Sequence, residues 1–143
     1  MQEMPHRYTV VAHSHLDEVR LQGENLPDIA TAAPAEFGGP GDKWSPETLL
    51  TGAVANCFIL SFKAIARASK FEWDELSCEV TGVLDRVARK TMFTGLHLKT
   101  SLTISDRDMV EKAERLLEKA EASCLITNSL VADATLEVEI VVI

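Results

Sequence analysis

Three cysteines, Cys57, Cys78 and Cys124, are the side chains of this 143-residue sequence best suited to covalent chemistry. They stand 21 and 46 residues apart. That spacing matches no zinc pattern, and there is no Cys-x-x-Cys. A metal site made from Cys57, Cys124 and a histidine has no ligand spacing behind it, and no cofactor is implied. What remains is thiol chemistry, in which the thiolate is the nucleophile. Residue type alone leaves a second reading open, because a free cysteine is among the most buried residue types and packs as a small hydrophobe. Two polar intrusions in an apolar run, Asn56 and Ser61, hint at a site around Cys57. Cys124 follows Ala122-Ser123 and is placed by the pattern near a helix terminus, whereas Cys78 starts a strand and reads as structural.

The elements that must position these thiols can be read from periodicity and punctuation. Tyr8 to Ala12, Val19 to Gln22 and Leu26 to Thr31 are β-prone runs, with a turn expected over His13 to Glu18, together an N-terminal meander. Phe37-Gly-Gly-Pro-Gly-Asp-Lys43 is a loop. Ser45-Pro46-Glu47 is a helix start: Ser caps free amides, Pro fits the first helical position and Glu complements the positive dipole end. The helix is expected to run to about Ser69. It is apolar on nearly every side until Lys63 and Arg67, which implies a central helix covered all round. Cys78 to Val87 and Thr91 to Ser105 read as strands joined near Arg89-Lys90. In the second, Leu96, Leu98, Leu102 and Ile104 share one parity and His97, Lys99, Ser101 and Thr103 the other, giving one buried and one wet face. A helix is expected from Ser105, with Asp108 three residues on completing a capping-box variant, and with Val110, Ala113, Leu116, Leu117 and Ala120 as its apolar stripe. Leu125 to Leu130 continues as a short turn or helix, and Thr135 to Ile143 is a closing strand. The order gives an α+β fold around a buried central helix, in a single domain, 1–143.

Composition bounds the function. Hydrophobic residues make up 46% and charged residues 25%, which suits a packed soluble domain. The net charge of −8, with no Lys/Arg cluster, argues against nucleic acid and anionic membranes. The uncharged stretch Leu49 to Phe62 is 14 residues long, short of the roughly 20 that a membrane span needs. Met1 to Arg7 has no apolar signal core, so a cytoplasmic location is expected, where transient catalytic disulfides are more plausible than structural ones.

Two segments resemble the signatures of the OsmC/Ohr family of peroxide-detoxifying proteins. The first runs from the Gly-rich loop at Phe37 through Ser45-Pro-Glu47 to Ala55-Asn-Cys57-Phe58. The second is Ala120-Glu-Ala-Ser-Cys124-Leu-Ile-Thr-Asn-Ser129. The resemblance covers essentially the whole chain. It implies an OsmC-like α+β fold, with a long buried central helix packed with antiparallel sheets in an intertwined homodimer. It also implies a peroxidatic Cys57 that becomes a sulfenic acid and a resolving Cys124 that condenses with it to a disulfide. A dithiol reductant, a lipoyl-protein or a thioredoxin-like protein, would complete the cycle on an organic hydroperoxide or hydrogen peroxide. The family activates its thiolate with an arginine on the N-terminal strands, held by the glutamate that Glu47 matches. Ten residues of unbroken helix would hold Glu47 about 15 Å from Cys57, so its part would be to orient that cation. Here the arginine's turn reads His13-Ser14-His15-Leu16-Asp17-Glu18-Val19-Arg20. Arg20 is the nearest candidate, with Arg7 and His15 as alternatives. Phe37, Trp44, Phe58, Phe62 and Phe93 could line an apolar pocket or pack the core. The other function class is a non-enzymatic OsmC-like domain that senses oxidants or binds a small apolar ligand. The ionisation of Cys57 separates the two.

Overall fold

The structure, a computed structural model, describes residues 2–143. The chain forms two compact units, an N-terminal one ending at Leu49 and a C-terminal one, Leu50–Ile143.

The N-terminal unit is an antiparallel sheet of β1 (Val11–His15), β2 (Glu18–Gln22) and β3 (Ile29–Thr31) in the order β1-β2-β3. The first strand starts later than Tyr8 and runs on through His13 and His15, so those histidines are strand residues and not turn residues. The turn needs only Leu16 and Asp17, because Leu16 takes the left-handed conformation (φ 56°) that a tight hairpin demands. Thr31 makes a parallel bridge to Trp44, and the Ala32 amide donates to the Trp44 carbonyl at 3.0 Å. Between them lies the glycine loop. Gly38 is left-handed (φ 86°), and a Cβ on Gly39 would sit 1.7 Å from the Ala33 carbonyl oxygen, so no other residue fits there. The loop ends at Ser45, whose Oγ accepts from the Thr48 amide at 3.1 Å while Thr48 Oγ1 accepts from the Ser45 amide at 2.8 Å. This reciprocal cap, with Thr in the usual Glu/Gln place, starts α1 (Pro46–Ala68).

The C-terminal unit carries the core. Within it α1 buries a narrow stripe, Val54, Phe58, Phe62 and Ala66, spaced four apart on one face. Each phenylalanine contributes about 1.5–3 kcal/mol by leaving water. Within the single chain the cover of α1 is one-sided: Asn56 is exposed and Leu60 keeps 56% of its surface in solvent, because a helix laid on one sheet is covered on one side. By length and composition α1 would also suit a membrane span, yet its stripe sits in the core cluster with the strands.

The second sheet has the order β4-β5-β6, from β4 (Glu75–Val87), β5 (Lys90–Ile104) and β6 (Asp133–Val142). β4 and β5 are antiparallel and turn at Ala88 and Arg89, both left-handed (φ 50° and 71°). β6 joins β5 in parallel, Gly95 opposite Asp133 through Ile104 opposite Val142, which departs from an all-antiparallel arrangement. A parallel neighbour requires a crossover, and α2 (Val110–Ala122) with the short α3 (Leu125–Asn128) is that crossover. α2 buries Ala113, Leu116, Leu117 and Ala120, as its stripe requires. Its start differs from expectation. The cap is Asp106, whose carboxylate accepts from the Asp108 amide at 2.9 Å in a preceding 3-10 turn, while Ser105 donates to Asp74 instead. Leu96, Leu98, Leu102 and Ile104 of β5 are buried, and the tight approach of Thr51 and Phe93 to Gly82 leaves no space for a side chain there.

A candidate thiol active site between two helices

Cys57 and Cys124 meet where the middle of α1 faces the junction of α2 and α3. Cys57 is half-buried and sits one residue before the stripe residue Phe58, at the edge of the buried face. Ser61, one helical turn on, places its Oγ 3.9 Å from the Cys57 sulfur. Cys124 is fully buried. Its position follows from how α2 stops. Ser123 Oγ donates to the Lys119 carbonyl at 2.9 Å, satisfying an open helix end. The backbone then becomes extended at Cys124 (φ −66°, ψ 107°), which serves as the N-cap of α3. The Asn128 amide bonds the Cys124 carbonyl at 3.0 Å, and Thr127 Oγ1 donates to the Cys124 sulfur at 3.3 Å. Restarting the helix leaves the amides of Leu125 and Ile126 without helical partners, and both donate to Cys57.

The two thiols are pushed in opposite directions. Burial raises the Cys57 thiol, but the Ile126 amide, the Cys124 thiol, the Ser61 hydroxyl and the Leu125 amide all favour its ionised form, and the result lies below the ordinary cysteine value. Burial also raises Cys124. The Thr127 hydroxyl and amide counter this, but donation to Cys57 and repulsion from it add to the rise, and Cys124 ends above the ordinary value. In such a pair the proton belongs on Cys124 and the charge on Cys57. Both are free thiols. Cys78 faces the core from β4, and burial, with repulsion from Cys124, pushes it up to about 11.

The other sequence candidates fall as follows. Glu47 is in the first turn of α1, and the helix continues unbroken past Gly52 to Cys57. Arg20 and Glu18 lie on β2, paired at 2.7 Å and both largely solvated. Arg7 is exposed ahead of β1, and His15 is exposed in β1. Phe58 and Phe62 belong to the core, Phe93 is half-buried against it, and Phe37 and Trp44 are mostly exposed. No group of three or more His, Cys, Asp or Glu able to hold a metal is present among the described residues. Sequence reasoning missed the α3 amides and Thr127. The available signal was a hydroxyl residue three places after Cys124, where a cap side chain can reach back.

Comparison with known proteins gives the family and the fold. The model of the OsmC-like protein family matches residues 39–139. An uncharacterised Bacillus subtilis (strain 168) protein, YmaD, is 29% identical over 109 residues, 74% of this chain and 73% of that one. An OsmC-like protein of unknown function from Vibrio cholerae shares the fold at a TM-score of 0.84 and 15% identity, over 94% of this chain and 99% of that one. The organic hydroperoxide resistance protein OsmC of Legionella pneumophila does so at 0.73 and 25% identity, over 96% and 100% of the respective chains. With the family model spanning most of its length, this chain belongs to the OsmC-like protein family.

Proposed function

We propose that this protein is a thiol-dependent peroxidase that reduces organic hydroperoxides, and hydrogen peroxide where it can enter, with Cys57 as peroxidatic and Cys124 as resolving cysteine. The observation that carries the reading is the polarised thiol pair. Cys57 is held below and Cys124 above the ordinary thiol value, with a hydrogen bond between them. The Cys57 thiolate attacks one oxygen of the O–O bond; that bond breaks, the alkoxide takes a proton and leaves as alcohol, and Cys57 becomes a sulfenic acid. The Cys124 sulfur then attacks the Cys57 sulfur, water leaves, and a disulfide forms. A dithiol, lipoyl or thioredoxin-like, supplies the two electrons that restore both thiols. The Legionella relative's name, an organic hydroperoxide resistance protein, supports the substrate class.

Arg20 and Glu47 are proposed as supporting groups: Arg20 as the cation that favours the Cys57 thiolate, Glu47 as the charge that orients that arginine. The working unit is proposed to be a homodimer. The solvated side of α1, with Leu60, and the exposed Tyr8, Val10 and Val11 are apolar surface of the kind that a second copy covers. The decisive experiment measures consumption of cumene hydroperoxide with dihydrolipoamide as reductant. Wild type should turn over and Cys57→Ser should not. Equal, slow consumption by both would sink the peroxidase reading. The ion pair that occupies Arg20 favours one other reading, oxidant sensing without turnover. It would appear as a single oxidation of Cys57 that no dithiol accelerates into a cycle.

A further inference from the structure

Ser61 is a polar residue in an otherwise apolar stretch of α1, and its neighbours Phe58 and Phe62 are buried. A serine in mid-helix costs a few tenths of a kcal/mol against alanine, so its presence is not explained by helix formation. Its hydroxyl lies over the Cys57 sulfur at 3.9 Å, across the i, i+4 spacing that α1 fixes. While Cys57 is a thiol, either group can be the donor. Once Cys57 loses its proton it has nothing to donate, and only the Ser61 hydroxyl can supply the hydrogen. The contact therefore strengthens on ionisation, since a hydrogen bond to a charged acceptor is the stronger kind.

We propose that Ser61 is a positioning residue for Cys57, holding its sulfur ionised and aimed from the same helix. Of the four donors that reach Cys57, two are backbone amides and one is the Cys124 thiol. The thiol is consumed each time a disulfide forms. Ser61 is the side chain that stays in place through the cycle. Because it rides on the same helix as Cys57, its aim does not depend on α3 or on the N-terminal strands. The inference rests on the peroxidase reading for its purpose, but the ionisation it describes can be measured without peroxide.

The test follows the rate of iodoacetamide labelling of Cys57 against pH in the intact protein, with the labelled peptide resolved by mass spectrometry from those of Cys78 and Cys124. Ser61→Ala favours the helix, so the variant is expected to fold. Its inflection should move to higher pH, leaving about three- to tenfold less thiolate at pH 7, the range a single net hydrogen bond supports. Ser61→Thr, which keeps the hydroxyl, should restore most of the shift, whereas a packing role would not distinguish hydroxyl from methyl in this way. An unmoved inflection in Ser61→Ala, or one that Ser61→Thr fails to restore, overturns the assignment. If the Ser61 effect appears but the wild-type protein consumes no hydroperoxide, the assignment stands and the peroxidase reading falls.

Discussion

The middle of α1 and the α2–α3 junction each present one thiol, and the two are treated oppositely although they touch. Burial is the largest influence on both and raises both. The difference lies in where the donors point. The amides freed by restarting the helix at Leu125 and Ile126 aim at Cys57, not at the cysteine that caps them. Cys124 receives the Thr127 hydroxyl and amide but also donates its own proton across the pair. Depth alone would make two inert thiols. Directed donors select one of them for ionisation and leave the other protonated, ready to give up its proton when a sulfenic acid forms beside it.

Removing the resolving partner is the largest way to break this comparison. Cys124→Ser keeps a donor beside Cys57, so its ionisation should change little. Dithiol-supported turnover, however, should stop after about one equivalent of peroxide, with Cys57 passing to sulfinic acid under excess oxidant. Intact-mass measurement would show the gain of two oxygens. Sustained turnover by this variant at the wild-type rate would remove Cys124 from the mechanism. Next in size is a blow to the scaffold that both thiols share. Phe62→Ala empties a fully buried position in the core and should cost about 3–5 kcal/mol in denaturant unfolding. An alanine at the exposed Leu60 should cost far less. If the Leu60 variant is as damaging, a second copy covers that side of α1, and the loss should track protein concentration.

The parts of the fold legible in the sequence are those fixed by periodicity and local chemistry. The alternation in Leu96 to Ile104, the α2 stripe and the Ser45-Pro46-Glu47 start all appear as read. What was not legible depends on distant pairing. Nothing in Thr135 to Ile143 says whether it runs with or against β5, because a strand of alternating residues suits either direction. The apolar composition of α1 predicts enclosure, but composition cannot say which side of a helix its own chain will reach. The site shows the same division. Cys57 and Cys124 stood out by type and by their surroundings. The donors that polarise them are backbone amides, and every residue but proline has one, so no side-chain pattern marks them. Cys78 matched nothing in the motif pattern and still feels Cys124 across the core.

The raised thiols give the comparison a signature in stability against pH. Cys78 and Cys124 have folded values above their unfolded ones. Their contribution is complete below the ordinary value of about 8.5 and is lost as pH rises through the folded values, near 11 for Cys78. Cys57 runs the other way: its folded value is lowered, so its contribution is present above the ordinary value and lost as pH falls through the folded one. The thermal midpoint should therefore decline on the alkaline side between about 9 and 11, and Cys78→Ala should flatten that decline. An identical alkaline slope in the variant would mean that the Cys78 thiol ionises as easily folded as unfolded.

The smallest expected effect isolates Cys124 from Cys57. Thr127→Val removes the hydroxyl 3.3 Å from the Cys124 sulfur while nearly keeping its volume. Without that donor the Cys124 thiolate is less favoured, and its attack on a Cys57 sulfenic acid should slow about two- to tenfold, the range a single net hydrogen bond supports. Single-turnover experiments separate this step. One equivalent of hydroperoxide is added without reductant, and quenched samples are followed for loss of water from the oxidised protein. Formation of the sulfenic acid should proceed at the wild-type rate, because Cys57 keeps its Leu125, Ile126 and Ser61 donors. Only its conversion to disulfide should lag. If both steps slow together, Thr127 acts by holding α3 and its amides in place, and the two thiols share one support. If neither slows, the hydroxyl is packing, and the polarisation of the pair rests on the α3 amides and on Ser61.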